Sequence, residues 1–184
     1  MKLLSIIGLT MLLTACGATQ SQQEEPPMLI FNQATAQVEE EPFILKLISD
    51  KEQYKVGEKL LIRAELIYEG EESAINIAHG GSWLFLETTN LTEDYHFGAA
   101  MNEPLIYTKL TKGQPLVEDY GFSGGAYIEG QGGKPYSEEL FQQMAKMNFP
   151  PGQYEIKAIT HFGIDEIIGD IYKLEAKIIF EVIE

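Results

Sequence analysis

The clearest indication of the fold class is the segment Leu60-Leu61-Ile62-Arg63-Ala64-Glu65-Leu66-Ile67-Tyr68, in which every second residue is apolar. Arg63 and Glu65 fall on one face of the extended chain. The opposite face carries only apolar side chains: Leu60, Ile62, Ala64, Leu66 and Tyr68. An alternation with a period of two is typical of a β-strand with one buried face. The stretch is therefore predicted to be a core strand.

The same alternation recurs before and after this strand. It is clear over residues 43–48, 154–160 and 172–182, and shorter candidate strands are 74–79, 83–88, 105–110 and 116–120. A single helix is predicted after Ser137, a good N-cap residue, and Pro150-Pro151-Gly152 ends it. Many short strands and one helix predict a mainly β protein, an antiparallel β-sandwich with a glycine-rich insert.

The N-terminal segment has the features of an export signal. Lys2 precedes an apolar run from Leu3 to Ala15, which is shorter than the roughly 20 residues needed to span a bilayer. The run ends in Leu13-Thr14-Ala15-Cys16, which resembles the lipobox of bacterial lipoproteins. The resemblance implies cleavage between Ala15 and Cys16 and a lipid on the Cys16 thiol. Two acyl chains there would anchor the protein stably.

The predicted organisation follows from this segment. Residues 1–15 are a signal peptide, residues 16–42 are the lipidated cysteine and a flexible acidic tether, and residues 43–184 are the domain. The tether is predicted from a polar, Pro- and Glu-rich composition that buries too little to order itself. Cys16 is the only cysteine, so no disulfide is expected. The predicted location is the cell membrane, with the domain lipid-anchored and facing the extracellular or periplasmic side.

The charge of the chain limits its partners. Asp and Glu number 28 against 13 Lys and Arg, and the formal net charge is -15. Nucleic-acid binding requires a basic surface, so nucleic acid is not an expected partner. The membrane is expected to be reached through the lipid at Cys16 and not through charge, because anionic headgroups repel such a domain.

Two further segments carry a resemblance to a known fold. Tyr54-Lys55-Val56-Gly57-Glu58 resembles the first strands of bacterial immunoglobulin-like domains. Phe149-Pro150-Pro151-Gly152-Gln153-Tyr154-Glu155-Ile156 resembles the turn and penultimate strand of the same group. The resemblance implies an immunoglobulin-like β-sandwich. The Bacillus intracellular proteinase inhibitor family is similar in both segments, which implies an extracellular protease inhibitor as an alternative function.

The sequence offers little support for catalysis. Gly121-Phe122-Ser123-Gly124-Gly125 has the spacing of a nucleophile elbow, but no convincing helix follows it, and His161 is the only candidate base late in the chain. The three histidines are not spaced as metal ligands, although His96 near Met101 leaves a copper site as an alternative. The chain is therefore predicted not to be an enzyme and to need no cofactor.

The segment from Tyr120 to Tyr136 is the predicted ligand loop. It combines six glycines with aromatic side chains, and the candidate contact residues are Tyr120, Phe122, Tyr127 and Tyr136. Mobile backbone with aromatic faces suits recognition of a peptide, a glycan or an envelope protein. The alternative is that these rings pack down as a satellite core. The predicted function is a non-enzymatic surface lipoprotein with a binding domain; the alternatives are the protease inhibitor and an extracytoplasmic copper- or calcium-binding protein.

Overall fold

The computed structural model describes residues 33–124, 127, 134–165 and 170–184. The predicted signal peptide, Ala15, Cys16 and the tether as far as residue 32 lie outside these residues, as does part of the glycine-rich segment. Among the residues described, no helix has the length and apolar character required to cross a bilayer.

Strands dominate the described part of the chain, and one short helix interrupts them. In chain order the elements are β1 (Thr35–Glu40), β2 (Phe43–Ser49), β3 (Gln53–Lys55), β4 (Ile62–Tyr68), β5 (Ala74–Asn90), β6 (Tyr95–Phe97), β7 (Ile106–Thr111), β8 (Leu116–Asp119), α1 (Glu138–Ala145), β9 (Gly152–Ile164) and β10 (Glu175–Ile183). The prediction of a mainly β protein with one short helix is confirmed.

The first sheet has the order β1-β2-β4-β8 and is antiparallel throughout. Its central ladder pairs Phe43 with Tyr68 and Ser49 with Ile62. Burial alternates along both central strands, as the sequence predicts, because every second side chain faces the core. The strand predicted at 60–68 is thus β4, a central strand of this sheet.

The second sheet is mixed and has the order β3-β10-β9-β5-β6, with β7 paired to the first half of β5. The pairing of β3 with β10 is parallel, and the other pairs are antiparallel. The two strands predicted at 74–79 and 83–88 are one continuous strand, β5. The register of β5 against β9 shifts between His79 and Leu84, so Gly80-Gly81 forms part of an irregularity and not a turn.

Buried side chains from both sheets form one hydrophobic core. The ring centroids of Phe43 in β2 of the first sheet and Phe162 in β9 of the second lie 5.0 Å apart. A buried hydrogen bond of 2.6 Å joins the hydroxyls of Thr88 in β5 and Tyr120 just after β8. Contacts of this kind fix the first sheet against the second.

The helix begins where the sequence predicts. The Ser137 hydroxyl accepts a hydrogen bond from the Leu140 backbone N–H at 3.1 Å, as an N-cap should. Phe141 and Met144 are the buried residues of the helix, and they attach it to the core. The helix therefore packs through one apolar face.

The predicted tether ends too late, and this boundary is corrected by the structure. Thr35–Glu40 form β1, which pairs with β2 over its whole length, and Gln33 bridges to Ile179. Ala36 and Val38 pack against the core, so two apolar side chains in an acidic sequence are enough to hold an edge strand. The domain thus starts before residue 43. The segment between the predicted strands at 43–48 and 60–68 also contains a short strand, β3, which buries Tyr54.

Candidate binding site

Tyr120, the first residue of the predicted ligand loop, lies in the core. Its side chain is buried, and its hydroxyl bonds to Thr88 Oγ1 at 2.6 Å. Burial raises the pKa of the Tyr120 hydroxyl, because the phenolate would lose its hydration there. Burial in the core accounts for the apolar surroundings of Tyr120, so no bound ligand is needed to explain them.

The other three candidate rings gather with Phe97 and Phe141 into an aromatic cluster over α1. Phe122 lies 5.3 Å from Phe97 and 5.6 Å from Phe141 between ring centroids, and Tyr136 lies 4.6 Å from Phe97. The Tyr127 hydroxyl donates to the Tyr136 carbonyl oxygen at 3.2 Å. All three are partly buried hydrophobic residues that pack against the core. The three rings contact neighbouring aromatic rings and the core, as expected if they form a satellite core. Their role in ligand recognition stays a prediction.

Ser123 and His161 do not meet as a nucleophile and its base. The Ser123 carbonyl oxygen accepts from the Ala100 N–H at 2.9 Å, which ties the glycine-rich segment to residues 98–105. The His161 ring packs edge-on against Phe85, with centroids 5.6 Å apart. In the described residues no hydrogen bond joins Ser123 to His161. The two side chains line adjoining cavities instead.

The other two histidines have different partners. His79 is buried, with Nδ1 2.8 Å from the Gly80 carbonyl oxygen and Nε2 2.8 Å from Thr108 Oγ1. Because a carbonyl oxygen only accepts, Nδ1 must carry a hydrogen. His96 Nδ1 lies 3.1 Å from Thr89 Oγ1 on the surface. Within the described ranges, no group of three or more His, Cys, Asp or Glu side chains is arranged to hold a metal ion.

Along the middle of β5, one edge of the strand is covered by a loop and not by another strand. β7 pairs with β5 as far as His79, and β6 pairs with it from Thr88, so neither strand covers the residues between. Residues 98–105 lie along this gap, where the Asn102 carbonyl oxygen accepts from the Gly81 N–H at 2.8 Å. A Cβ atom on Gly81 would lie 3.0 Å from the same oxygen. Glycine at this position thus permits the close approach of the loop.

Two cavities open beside this edge, and we call them together the β5 groove. The inner one has a volume of about 190 Å³, and its lining includes Ser82, Leu84, Leu86, Met101, Glu118 and Ser123. The outer one has a volume of about 230 Å³, and its lining includes Gly80, Glu103, Leu105 and His161. Phe85 and Met101 line both, so the cavities adjoin.

Glu118 is the charged side chain inside the β5 groove. It shares the inward face of β8 with Leu116, and Ser82 Oγ lies 2.8 Å from each of its carboxylate oxygens. The pKa of the carboxyl is raised, chiefly because burial penalises its charge; the Ser82 hydrogen bond and the nearby His79 oppose the shift. None of the ion pairs between described residues includes Glu118. Within the described chain, therefore, no lysine or arginine pairs with the Glu118 carboxylate.

An exposed apolar residue, Leu105, lines the outer cavity of the β5 groove, and two more exposed apolar residues follow it in the chain. Leu105 is 55% exposed, and the neighbouring Ile106 and Tyr107 of β7 are 37% and 57% exposed. β7 pairs with β5 on one side, and the described residues give it no strand on the other. Consecutive exposed apolar residues on an edge strand are typical of an interaction surface.

A second concave surface lies at the junction of β1, β2 and β4. This acidic cleft has a volume of about 710 Å³ and an open shape, and four carboxylates line it with one lysine: Glu39, Glu41, Glu69, Glu71 and Lys112. The cleft concentrates negative potential near the first sheet. Its carboxylates are solvated, which distinguishes them from the half-buried Glu118.

The sequence did not predict the β5 groove, because its lining comes from four separate segments of the chain. One signal was present: in Leu116-Val117-Glu118-Asp119-Tyr120 the alternation places a carboxylate on the same face as Leu116 and Tyr120. A charge on the apolar face of a strand is unusual enough to mark a site.

No protein family model, no curated protein and no solved structure matches this chain. The function is therefore inferred from the chemistry of its own residues.

Proposed function

We propose that this chain is a non-enzymatic lipoprotein, held at the outer side of the cell membrane by a lipid on Cys16, whose immunoglobulin-like domain binds a partner through the β5 groove. The observation that carries the binding function is the groove itself. It combines concavity, an exposed apolar residue at its rim and one half-buried carboxylate, beside an edge of β5 that a loop covers in place of a strand.

The anchor is supported by the N-terminal sequence. The basic Lys2, the apolar run to Ala15 and the Leu13-Thr14-Ala15-Cys16 box coincide in one segment. A diacylglyceryl group on Cys16 would bury enough methylene groups to hold a strongly anionic domain at the bilayer.

The order of the strands supports an immunoglobulin-like sandwich. In that fold, strands A, B and E neighbour one another in one sheet, and strands C, F and G in the other. Here β2-β4-β8 match the first set and β5-β9-β10 match the second, in both chain order and sheet order.

Two local features support the same assignment. Tyr154 near the start of β9 donates its hydroxyl to the Pro150 carbonyl oxygen at 2.8 Å, and a tyrosine near the start of strand F makes such a bond in this fold. Trp83 is buried on β5, which takes the place of strand C, where antibody domains keep a tryptophan.

Photocrosslinking from the rim of the β5 groove tests the proposed function. A photoreactive residue at position 105 is introduced into the full chain in its host cells, and the matched control carries it at position 56. Val56 is 42% exposed and follows β3, at the opposite edge of the second sheet. We expect a discrete crosslinked envelope protein from position 105 and not from position 56. Equal products from both positions, or none from position 105, would contradict binding at the groove.

A further inference from the structure

We propose that the inner cavity of the β5 groove receives one lysine side chain of the polypeptide partner, with the ammonium group on Glu118 and the methylene stem against the apolar wall. This inference rests on the proposed function, because it names the chemistry that the same groove recognises.

The carboxylate of Glu118 has unused capacity to accept hydrogen bonds. An ionised carboxylate offers about four acceptor sites, whereas Ser82 has a single hydroxyl hydrogen to donate. No Lys or Arg in the described residues forms an ion pair with Glu118. An incoming ammonium group would supply three donors and a compensating charge.

The size of the inner cavity limits what can enter it. Its volume of about 190 Å³ is below the roughly 300 Å³ at which pockets for drug-sized ligands begin. It suits a single long side chain better than a cofactor. The apolar wall of Leu84, Leu86 and Met101 would contact a methylene stem while the charged end reaches Glu118.

Other ligand classes fit this cavity less well. Anions would meet Glu118 and the neighbouring Asp119, which also lines the cavity. Calcium requires six to eight oxygen ligands, and the described residues contain no group of three or more carboxylate, histidine or cysteine side chains arranged around a metal site. A monovalent ammonium group requires only one carboxylate and the Ser82 hydroxyl.

A competing explanation for the inward-facing charge of Glu118 is that it prevents β8 from pairing with another copy of the chain. β8 lies at one end of the first sheet, and inward-pointing charges on edge strands discourage pairing between copies. That explanation predicts self-association of a neutral variant and requires no cation binding. The two explanations therefore differ in measurable outcomes.

Titration with n-butylammonium, which imitates the end of a lysine side chain, tests the cavity directly. The full chain carries ¹³C-methyl methionine and is held in zwitterionic micelles. We expect a saturable shift of the Met101 methyl signal, and no such shift with n-butanol, which has the same stem without the charge. The signal of Met144, buried in the helix interface, should stay in place and reports the fold.

The variant Glu118→Gln separates the charge from the shape of the site. We expect it to weaken n-butylammonium binding by about tenfold or more, since hydrogen bonds to charged groups are the strong ones. The matched control is Glu175→Gln, which removes the same charge at an exposed position of β10 and should bind as the wild type does. Absence of a saturable shift in the wild type, or equal binding by Glu118→Gln, would overturn the proposal. Self-association of Glu118→Gln in a chain whose wild type ignores n-butylammonium would favour edge protection instead.

The source of the ammonium group is tested with the crosslink from position 105. We expect Glu118→Gln to reduce that crosslink strongly and Glu175→Gln to leave it unchanged. If Glu118→Gln abolishes n-butylammonium binding but leaves the crosslink intact, the cavity takes a free amine and the partner-lysine proposal is overturned while binding at the groove stands. If position 105 gives no crosslink in the wild type, the proposed function itself fails.

Discussion

At the scale of single residues, the position of Glu118 couples the β5 groove to pH. Its pKa is raised by burial, so the folded state favours the protonated carboxyl more than the unfolded state does. The associated stability is present below the unfolded pKa and is lost as the pH rises through the folded pKa. Ser82 and His79 interact with this carboxyl, and Asp119 also lines the cavity.

We therefore predict that Glu118→Gln raises the free energy of unfolding at pH 7 and changes it little near pH 4. At pH 7 the amide removes a buried charge, whereas near pH 4 the wild-type carboxyl is already largely neutral. Urea unfolding of both proteins at the two pH values measures the effect. A variant that is less stable than the wild type at pH 7 would contradict the assigned cause of the shift.

Tyr154 carries a second prediction at this scale. Its buried hydroxyl donates to the Pro150 carbonyl oxygen at 2.8 Å and accepts from Asn90 Nδ2 at 3.2 Å. Tyr154→Phe should lower the free energy of unfolding by about 1–3 kcal/mol, because buried polar partners lose their bonds. Tyr107→Phe, at a ring that is 57% exposed, is the control and should change it by less than about 0.5 kcal/mol. Equal effects would show that the corner bond contributes nothing.

Among the strands, those that bury one face in the core were the ones that the sequence predicted. The strands β2, β4, β9 and β10 were predictable because each buries every second side chain. β1 was missed because its apolar signal is only Ala36 and Val38 among acidic residues. The continuity of β5 was missed because Gly81 is required by its contact with Asn102, a long-range contact that local sequence does not report.

Hydrogen exchange tests β1 without any substitution. If β1 pairs with β2 as described, the amides that it shares in the ladder should exchange slowly compared with those of residues 71–73, which lie in a bend between β4 and β5. If the amides of residues 35–40 exchange as fast as those of the bend, these residues belong to the flexible tether and do not form β1.

Gly81 carries the prediction for the loop that covers β5. Gly81→Ala places a Cβ 3.0 Å from the Asn102 carbonyl oxygen, so the loop must move. We expect a loss of about 1–3 kcal/mol in the free energy of unfolding, as for other overpacked sites, together with a shifted Met101 methyl signal. The control is Gly98→Ala in the same loop, where an added Cβ meets no atom within 4 Å. An unchanged Met101 signal in Gly81→Ala would contradict the described contact.

At the scale of the whole molecule, the candidate site illustrates what a sequence hides. Ser82, Met101 and Glu118 meet only because an irregularity in β5, a loop and an edge strand converge. The aromatic segment was conspicuous in the sequence, yet Tyr120 is buried and the other rings contact one another. The sequence shows the type of each residue, whereas the contacts of each side chain become known only from the fold.

The net charge of -15 acts on the molecule as a whole. It favours approach of a cationic partner and opposes contact with anionic headgroups, so the domain needs a covalent anchor to stay at a membrane. The proposed envelope location of the binding site therefore depends on the lipid at Cys16.

Intact-mass and peptide mass spectrometry of the protein isolated from its host membranes tests for the lipid on Cys16. We predict a chain that begins at Cys16 and carries a diacylglyceryl group on its sulfur, and a Cys16→Ser chain that lacks the lipid and leaves the membrane fraction. A native product that retains residues 1–15, or that has a free thiol at Cys16, would contradict the account.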